Sequence, residues 1–312
     1  MKDNVLRYKP ERKDRLIQCV AADGMLRIAF IDGTNLVSEA RNLLKLSRVA
    51  TAALGRQLMM TEIMSADLKG ERDLVSTIIK GDGPAGSMIC TGNSRLEVKG
   101  SVLNPEVELP VNELGKLDVG GFVGHSGKLS VVSDLGLKEP YVGLSNLVSG
   151  EIAIDFANYY AASLQRPALV YLGVRVRGDS GEVRAAAGVF AEPLPGCPDD
   201  VIDKLQEKGA EIAQFSERLD AGETPEELLE SAFGEFGLVY AGEREPLYRC
   251  DCSRERIERA LISTGYDELL GMIEEDHGAE VTCRFCDKIY QFSEEDLRAL
   301  LDAASTRDDE DE

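Results

Sequence analysis

Two close pairs of cysteines near the C-terminal end constrain this chain more than any other stretch. Cys250-Asp251-Cys252 is followed by thirty residues and then by Cys283-Arg284-Phe285-Cys286, so four of the seven cysteines fall in the last fifth of the sequence. A short turn aims both thiols of a pair at one point, and the long excursion is enough to fold back and bring the second turn to the first. Four thiolates about 2.3 Å from a common centre are what tetrahedral zinc takes. The spacing is close to the C-x2-C…C-x2-C pattern, but the first pair is C-x-C, a tighter bite than structural zinc ribbons ordinarily use. The metal is then either an inert brace or a working part.

Composition narrows the setting. At 312 residues the chain most naturally holds two domains, with ample material for a core. A net charge of -21 without clustered Lys and Arg argues against a nucleic-acid surface, because such surfaces gain affinity by releasing counterions from phosphate. No run approaches the roughly eighteen apolar residues of a membrane span, and Met1 to Pro10 lacks the apolar core of a signal peptide. The expected location is the cytoplasm, or an organelle reached by a segment missing here, with neither nucleic acid nor membrane as partner. There, cysteines rest as thiolates on metal rather than as permanent disulfides.

Taken in order, residues 14 to 31 alternate around Ala22-Asp23-Gly24 and predict a β-hairpin, with Cys19 at a core position. From Asn35 to Ser65 the period turns helical, with Leu43, Leu46, Ala50, Ala53, Leu54 and Leu58 on one stripe. One long Ala-rich helix packed close on a sheet is expected, with Met59, Met60 and Met64 filling core. Gly81-Asp-Gly-Pro-Ala-Gly86 satisfies G-x-G-x-x-G after a strand-like run. A phosphate-binding loop must open a helix, however, and Ser87–Thr91 and Leu96–Gly100 read as further strands, so nucleotide binding is not expected here, and Cys90 reads as core. His125-Ser126 has neither nucleophile-elbow spacing nor any other hydrolase setting, and the only other histidine, His277, has none.

A helix is expected from Ser149-Gly-Glu151, then a hairpin from Leu169–Val176 and Val183–Phe190, ending at the proline cluster Pro193–Pro198. Residues 1–195 thus read as an α+β domain. Residues 196–245 read as an amphipathic helical linker, with Val201, Leu205, Ile212 and Phe215 on one side of a helix from Asp199 to Leu219. Thr224-Pro-Glu-Glu227 is a capping box that opens a second helix through Leu228, Leu229 and Phe233. Residues 246–303 form the cysteine module, with a helix capped by Ser253, a second opened by Thr264 and Asp267, and a last one from Ser293. The acidic stretch 304–312 is expected to be disordered. The fold class is α+β: a mixed sheet-and-helix domain, a helical linker and a small four-cysteine zinc module.

The spacing of the four cysteines, together with Cys252-Ser-Arg-Glu-Arg256 and the run from Ile273 through Glu280-Val-Thr-Cys-Arg-Phe-Cys286, resembles the heat shock protein 33 family of redox-regulated holdases. The resemblance runs through the whole chain, including the Gly81 to Gly86 loop and the order of domain, linker and module. It implies that Cys250, Cys252, Cys283 and Cys286 bind one Zn2+ in the reduced, inactive protein. It further implies that oxidation pairs Cys250 with Cys252 and Cys283 with Cys286, releases zinc and unfolds module and linker. The product would be an ATP-independent chaperone, not an enzyme, that dimerises and holds unfolding client proteins. Cys19, Cys90 and Cys197 lie outside the matching motif.

The chemistry of the residues accommodates such a switch. A four-thiolate zinc site contributes roughly 10 to 16 kcal/mol of apparent folding free energy in small zinc peptides, against a small domain's own stability of about 5 kcal/mol. The module is expected to fold only with metal, and oxidation destroys the ligands, so loss of metal and loss of fold become one event. Two other classes stay open on the residues alone: a thiol-disulfide oxidoreductase using Cys283 and Cys286, and an inert zinc-stabilised interaction module.

Overall fold

The computed structural model describes residues 12–308. Contacts divide the chain between Arg249 and Cys250 into two compact units. The first is built from two sheets and the helices that cover them.

The strands Arg15–Ala21 and Leu26–Asp32 form the expected hairpin, with Arg15 opposite Asp32 and a tight turn at Ala22–Gly24. Val183–Pro193 pairs with the second of these strands, and Leu169–Val176 pairs with Val183–Pro193, all antiparallel. Val239–Arg244 adds to the other edge beside Arg15–Ala21 and completes a five-stranded sheet. Both faces of this sheet are covered, and strand alternation sorts its side chains between two cores. Leu16, Ala29, Ile31 and Phe190 face one core. Ile17, Cys19, Ile28 and Phe30 face the other.

The second sheet has six strands in the order Leu247–Tyr248, Glu97–Val102, Ser87–Asn93, Leu74–Gly81, Gly127–Asp134 and Tyr141–Asn146. Its pairs are antiparallel except that Leu247–Tyr248 runs parallel to Glu97–Val102. The Gly81 to Gly86 loop is a turn between antiparallel strands, with Lys80 opposite Ser87. Its glycines serve close approach: a Cβ on Gly83 would stand 2.5 Å from the Phe122 carbonyl oxygen.

The helix Arg48–Ser65 contacts strands of both sheets and is buried along nearly its whole length. Small residues permit that approach, and at Gly55 a Cβ would meet Val37 Cγ1 at 2.7 Å. The single helix expected from Asn35 to Ser65 is in fact two, Thr34–Leu44 and Arg48–Ser65. Lys45 takes a left-handed conformation (φ 53°) and Ser47 starts the second helix by accepting the Ala50 N–H at 3.1 Å. A side-chain cap therefore overrides a continuous apolar period.

The linker helix expected from Asp199 to Leu219 is also divided, into Asp199–Glu207, Gly209–Ile212 and Phe215–Ala221. The breaks let the path bend, so that Leu205, Ile212, Phe215 and Leu219 all lie buried in the core on the outer face of the five-stranded sheet. The helix Pro225–Phe233 has the expected capping box, in which the Thr224 hydroxyl accepts the Glu227 N–H and the Glu227 carboxylate accepts the Thr224 N–H. Its Leu228, Leu229 and Phe233 enter the same core, with Val201 half-buried at its margin. After Gly237 the stretch expected to remain helical linker becomes the edge strand Val239–Arg244 instead. Arg244 ties down its end by donating to the Ala66 and Ser94 carbonyls.

In the second unit, Ser253 caps the helix Arg254–Ile262 by accepting the Arg256 N–H. The next helix, Tyr266–Glu274, starts from Gly265 with φ 101°. The expected Thr264–Asp267 cap does not form, because the Thr264 hydroxyl donates back to the Leu261 carbonyl. Gly278–Thr282 and Ile289–Ser293 make an antiparallel hairpin. Ser293 and Asp296 then cap each other at the start of the helix Glu294–Asp308. That helix overlaps residues 304–308 of the expected acidic tail, and residues 309–312 lie outside the described residues.

Candidate metal centre

Cys283 closes the strand Gly278–Thr282, and its N–H donates to the Lys288 carbonyl across the hairpin at 2.9 Å. The turn continues with the Cys286 and Asp287 N–H groups both directed at the Cys283 carbonyl, and a left-handed Asp287 lets the chain return as the second strand. Cys250 and Cys252 lie on the segment just before Ser253 and its helix. The sulfurs of Cys250, Cys252, Cys283 and Cys286 lie within 4.8 Å of one another. Two contacts run between the pairs, Cys250 to Cys283 at 3.7 Å and Cys252 to Cys286 at 3.4 Å. Four sulfurs about 2.3 Å from one zinc would stand about 3.8 Å apart, so the cluster has the size of a tetrahedral thiolate site.

All four are free thiols, and they rest on a small apolar core of Leu261, Leu269, Ile273, Tyr290, Phe292 and Leu297. Burial pushes the Cys250 thiol up, and burial likewise pushes Cys286 up to about 11. Burial also opposes ionisation of Cys252, but hydrogen bonding from Tyr290 and its sulfur neighbours outweighs it and lowers that thiol. The Tyr290 hydroxyl donates to Cys252 Sγ at 3.1 Å. Four thiolates cannot share so small a space by themselves; a bound divalent cation removes their repulsion and holds them deprotonated. The donor set therefore fits a metal ion.

Arg254 braces the site from the motif that follows Cys252. Its guanidinium donates to the Gln291 carbonyl at 2.9 Å, pairs with Glu258 and Asp296 at 3.1 Å each, and lies 4.3 Å from the Phe292 ring centroid. Tyr290 carries no motif signal, since its place in an alternating strand equally suits Phe.

The other sequence candidates fall elsewhere. Cys19 and Cys90 are buried among apolar side chains in the first unit, and Cys197 is half-buried before the first linker helix. His125 Nδ1 is 2.7 Å from the Ser149 carbonyl oxygen, and His277 Nδ1 is 3.6 Å from Glu294.

A sequence model of the family described as "Hsp33 protein" matches residues 14–293. The chain belongs to the Hsp33 family. It is 43% identical over 289 residues to the 33 kDa chaperonin of Acetivibrio thermocellus, a match spanning 93% of this chain and 97% of that one. Identity to the 33 kDa chaperonin of Latilactobacillus sakei is 44% over 290 residues, covering 93% and 99%. Among solved structures, the 33 kDa chaperonin (heat shock protein 33 homolog) of Thermotoga maritima is similar with a TM-score of 0.84 and 34% identity. That match spans 95% of this chain and 100% of the other. Among the described residues, no helix is long and apolar enough to cross a membrane.

Proposed function

We propose that this member of the Hsp33 family is a redox-regulated, ATP-independent holdase of the cytoplasm, held off by one zinc ion in its reduced state. The observation that carries the reading is the convergence of four free thiols within 4.8 Å on a unit whose own apolar core is small. Cys250, Cys252, Cys283 and Cys286 would hold the ion, which supplies charge neutralisation and a crosslink between the segment before Ser253 and the hairpin turn. Without that crosslink, the six buried apolar or aromatic side chains beside the cysteines are a thin core for a stable domain.

Oxidation acts on the ligands themselves. When Cys250 pairs with Cys252, two sulfurs give up two electrons to one peroxide, which takes up two protons and leaves as two waters; a second peroxide does the same for Cys283 and Cys286. The sulfurs are then no longer thiolates and the fold loses its crosslink. The chain runs directly from Cys250 back into Leu247–Tyr248 and Val239–Arg244, so we propose that disorder of the module propagates along it and frees the linker. Its apolar stripe and the sheet face beneath would then take extended apolar segments of unfolding clients, with a second activated chain as the other partner. No turnover, nucleic acid or lipid enters this mechanism.

The test is client light scattering during thermal unfolding. Peroxide-treated protein should suppress scattering without nucleotide and zinc-loaded reduced protein should not. Equal suppression by both forms would leave a constitutive chaperone, and suppression by neither would leave an inert module.

A further inference from the structure

Tyr290 sits where the fold has no need of a hydroxyl. In the hairpin register it lies opposite Val281, while Phe292, two residues on, lies opposite Ala279. All four residues line the same apolar core, and Tyr290 and Phe292 are 7% and 3% exposed. A phenylalanine would fill the position equally well. Here the hydroxyl is spent on a sulfur, Cys252 Sγ, at 3.1 Å.

The quality of that bond depends on the state of the sulfur. A neutral thiol or a disulfide sulfur is a poor acceptor, whereas a thiolate accepts a charge-assisted hydrogen bond. We propose that Tyr290 is a positioning residue that ties the fold of the hairpin to the charge on Cys252, favouring the metal-bound thiolate over every oxidised form. The proposal rests on the four-thiolate site proposed above. While Cys252 ligates metal, the hydroxyl is satisfied and the sulfur is fixed in orientation. Once Cys252 enters a disulfide, the same hydroxyl loses its charge-assisted partner, so the bond that stabilises the reduced unit is missing from the oxidised one. Groups that orient a metal ligand in this way are typically worth about 10-fold in metal affinity or more.

The experiment loads the full-length reduced chain and its Tyr290→Phe variant with cobalt(II) and records the thiolate-to-metal charge-transfer bands, with chelator competition for affinity. A lost hydrogen bond leaves more charge on sulfur, so the variant's bands should move to lower energy and its affinity should fall by about 10-fold. A role in packing alone moves neither. Cobalt bound by both proteins with identical bands and equal affinity would sink the role of Tyr290 and leave the metal site standing, whereas a wild-type chain that takes up no cobalt would sink both. A second measurement needs no substitution: with cadmium-113 bound to the wild-type chain, the Tyr290 hydroxyl proton should show scalar coupling to the metal through Cys252 Sγ. An uncoupled hydroxyl proton on a cadmium-loaded chain would overturn the proposal even if the variant did not fold.

Discussion

Phe215, on the third short linker helix, packs against Phe30 of the five-stranded sheet with ring centroids 6.2 Å apart and planes inclined at 56°. Both rings are fully buried, so the linker closes the outer face of that sheet. Next to them the Tyr171 hydroxyl donates to Ser216 Oγ at 2.8 Å and accepts the Ser216 N–H at 3.2 Å, which fixes the helix in register.

Phe215→Asp should undo that closure. Removing a buried phenylalanine costs about 3 to 5 kcal/mol, and an unpaired carboxylate in the same place adds to it. The variant is expected to show partial suppression of client aggregation while still reduced and zinc-loaded. Light scattering checks it, and a variant with destabilised linker helices but no activity would separate linker docking from client binding.

The proposed metal site gives a stoichiometric expectation. Reduced protein should carry one zinc per chain by elemental analysis, and Cys283→Ser should lower both content and affinity. Stripping the metal with a chelator should abolish the ordered hairpin and helices of residues 250–302 without melting the first unit. A Cys283→Ser chain with unchanged zinc content and affinity would refute the four-thiolate site.

Two buried carboxyls make the first unit sensitive to pH. Burial pushes Asp14 up to about 7, although its oxygens accept the Asn35 and Leu36 N–H groups at 2.8 and 2.6 Å. Burial also raises Glu62, whose two oxygens are fully buried, against the opposing pull of Arg244 and the Leu247 backbone. In both, the folded state holds its proton more tightly than the unfolded chain does. The stability this contributes is complete below about pH 4, the unfolded value, and for Asp14 is lost as pH rises through about 7. Glu62→Gln keeps the shape of the neutral acid and removes its ionisation. Urea midpoints of the variant and the parent should therefore agree near pH 4 and separate in favour of the variant by pH 8.

What the sequence discloses follows from which residues carry an unambiguous local signal. Alternation in Leu16–Phe30, the Thr224 capping box and the two cysteine pairs each specify one local geometry, and each forms. The break at Lys45–Ser47 is hidden because the apolar period continues across it and only the Ser47 side chain betrays it. Val239–Arg244 is harder still. As an edge strand it leaves Val239 and Tyr240 about half exposed, so no buried alternation marks it, and its pairing with Arg15–Ala21 is a long-range contact. Tyr290 carries no signal because the property that matters is one oxygen, placed by the fold 3.1 Å from a sulfur 38 positions earlier.

The last expectation concerns the proposed gate, the linker. Leu205, Ile212, Phe215, Leu228, Leu229 and Phe233 are all buried against the sheet, and each such side chain contributes roughly 1.5 to 3 kcal/mol of docking free energy. Their sum exceeds what fraying of a neighbouring segment overcomes easily, so release must proceed stepwise from an end. The C-terminal end is the weaker one, because Val239–Arg244 is an exposed edge strand and Leu247–Tyr248 is only two residues long. Hydrogen exchange on the oxidised protein should therefore show protection lost first over 239–248, next over 225–233 and last over 199–221. A chain that has become an active holdase while residues 199–233 keep their full protection would mean that the linker is not the gate, and that clients bind a surface already exposed in the reduced protein.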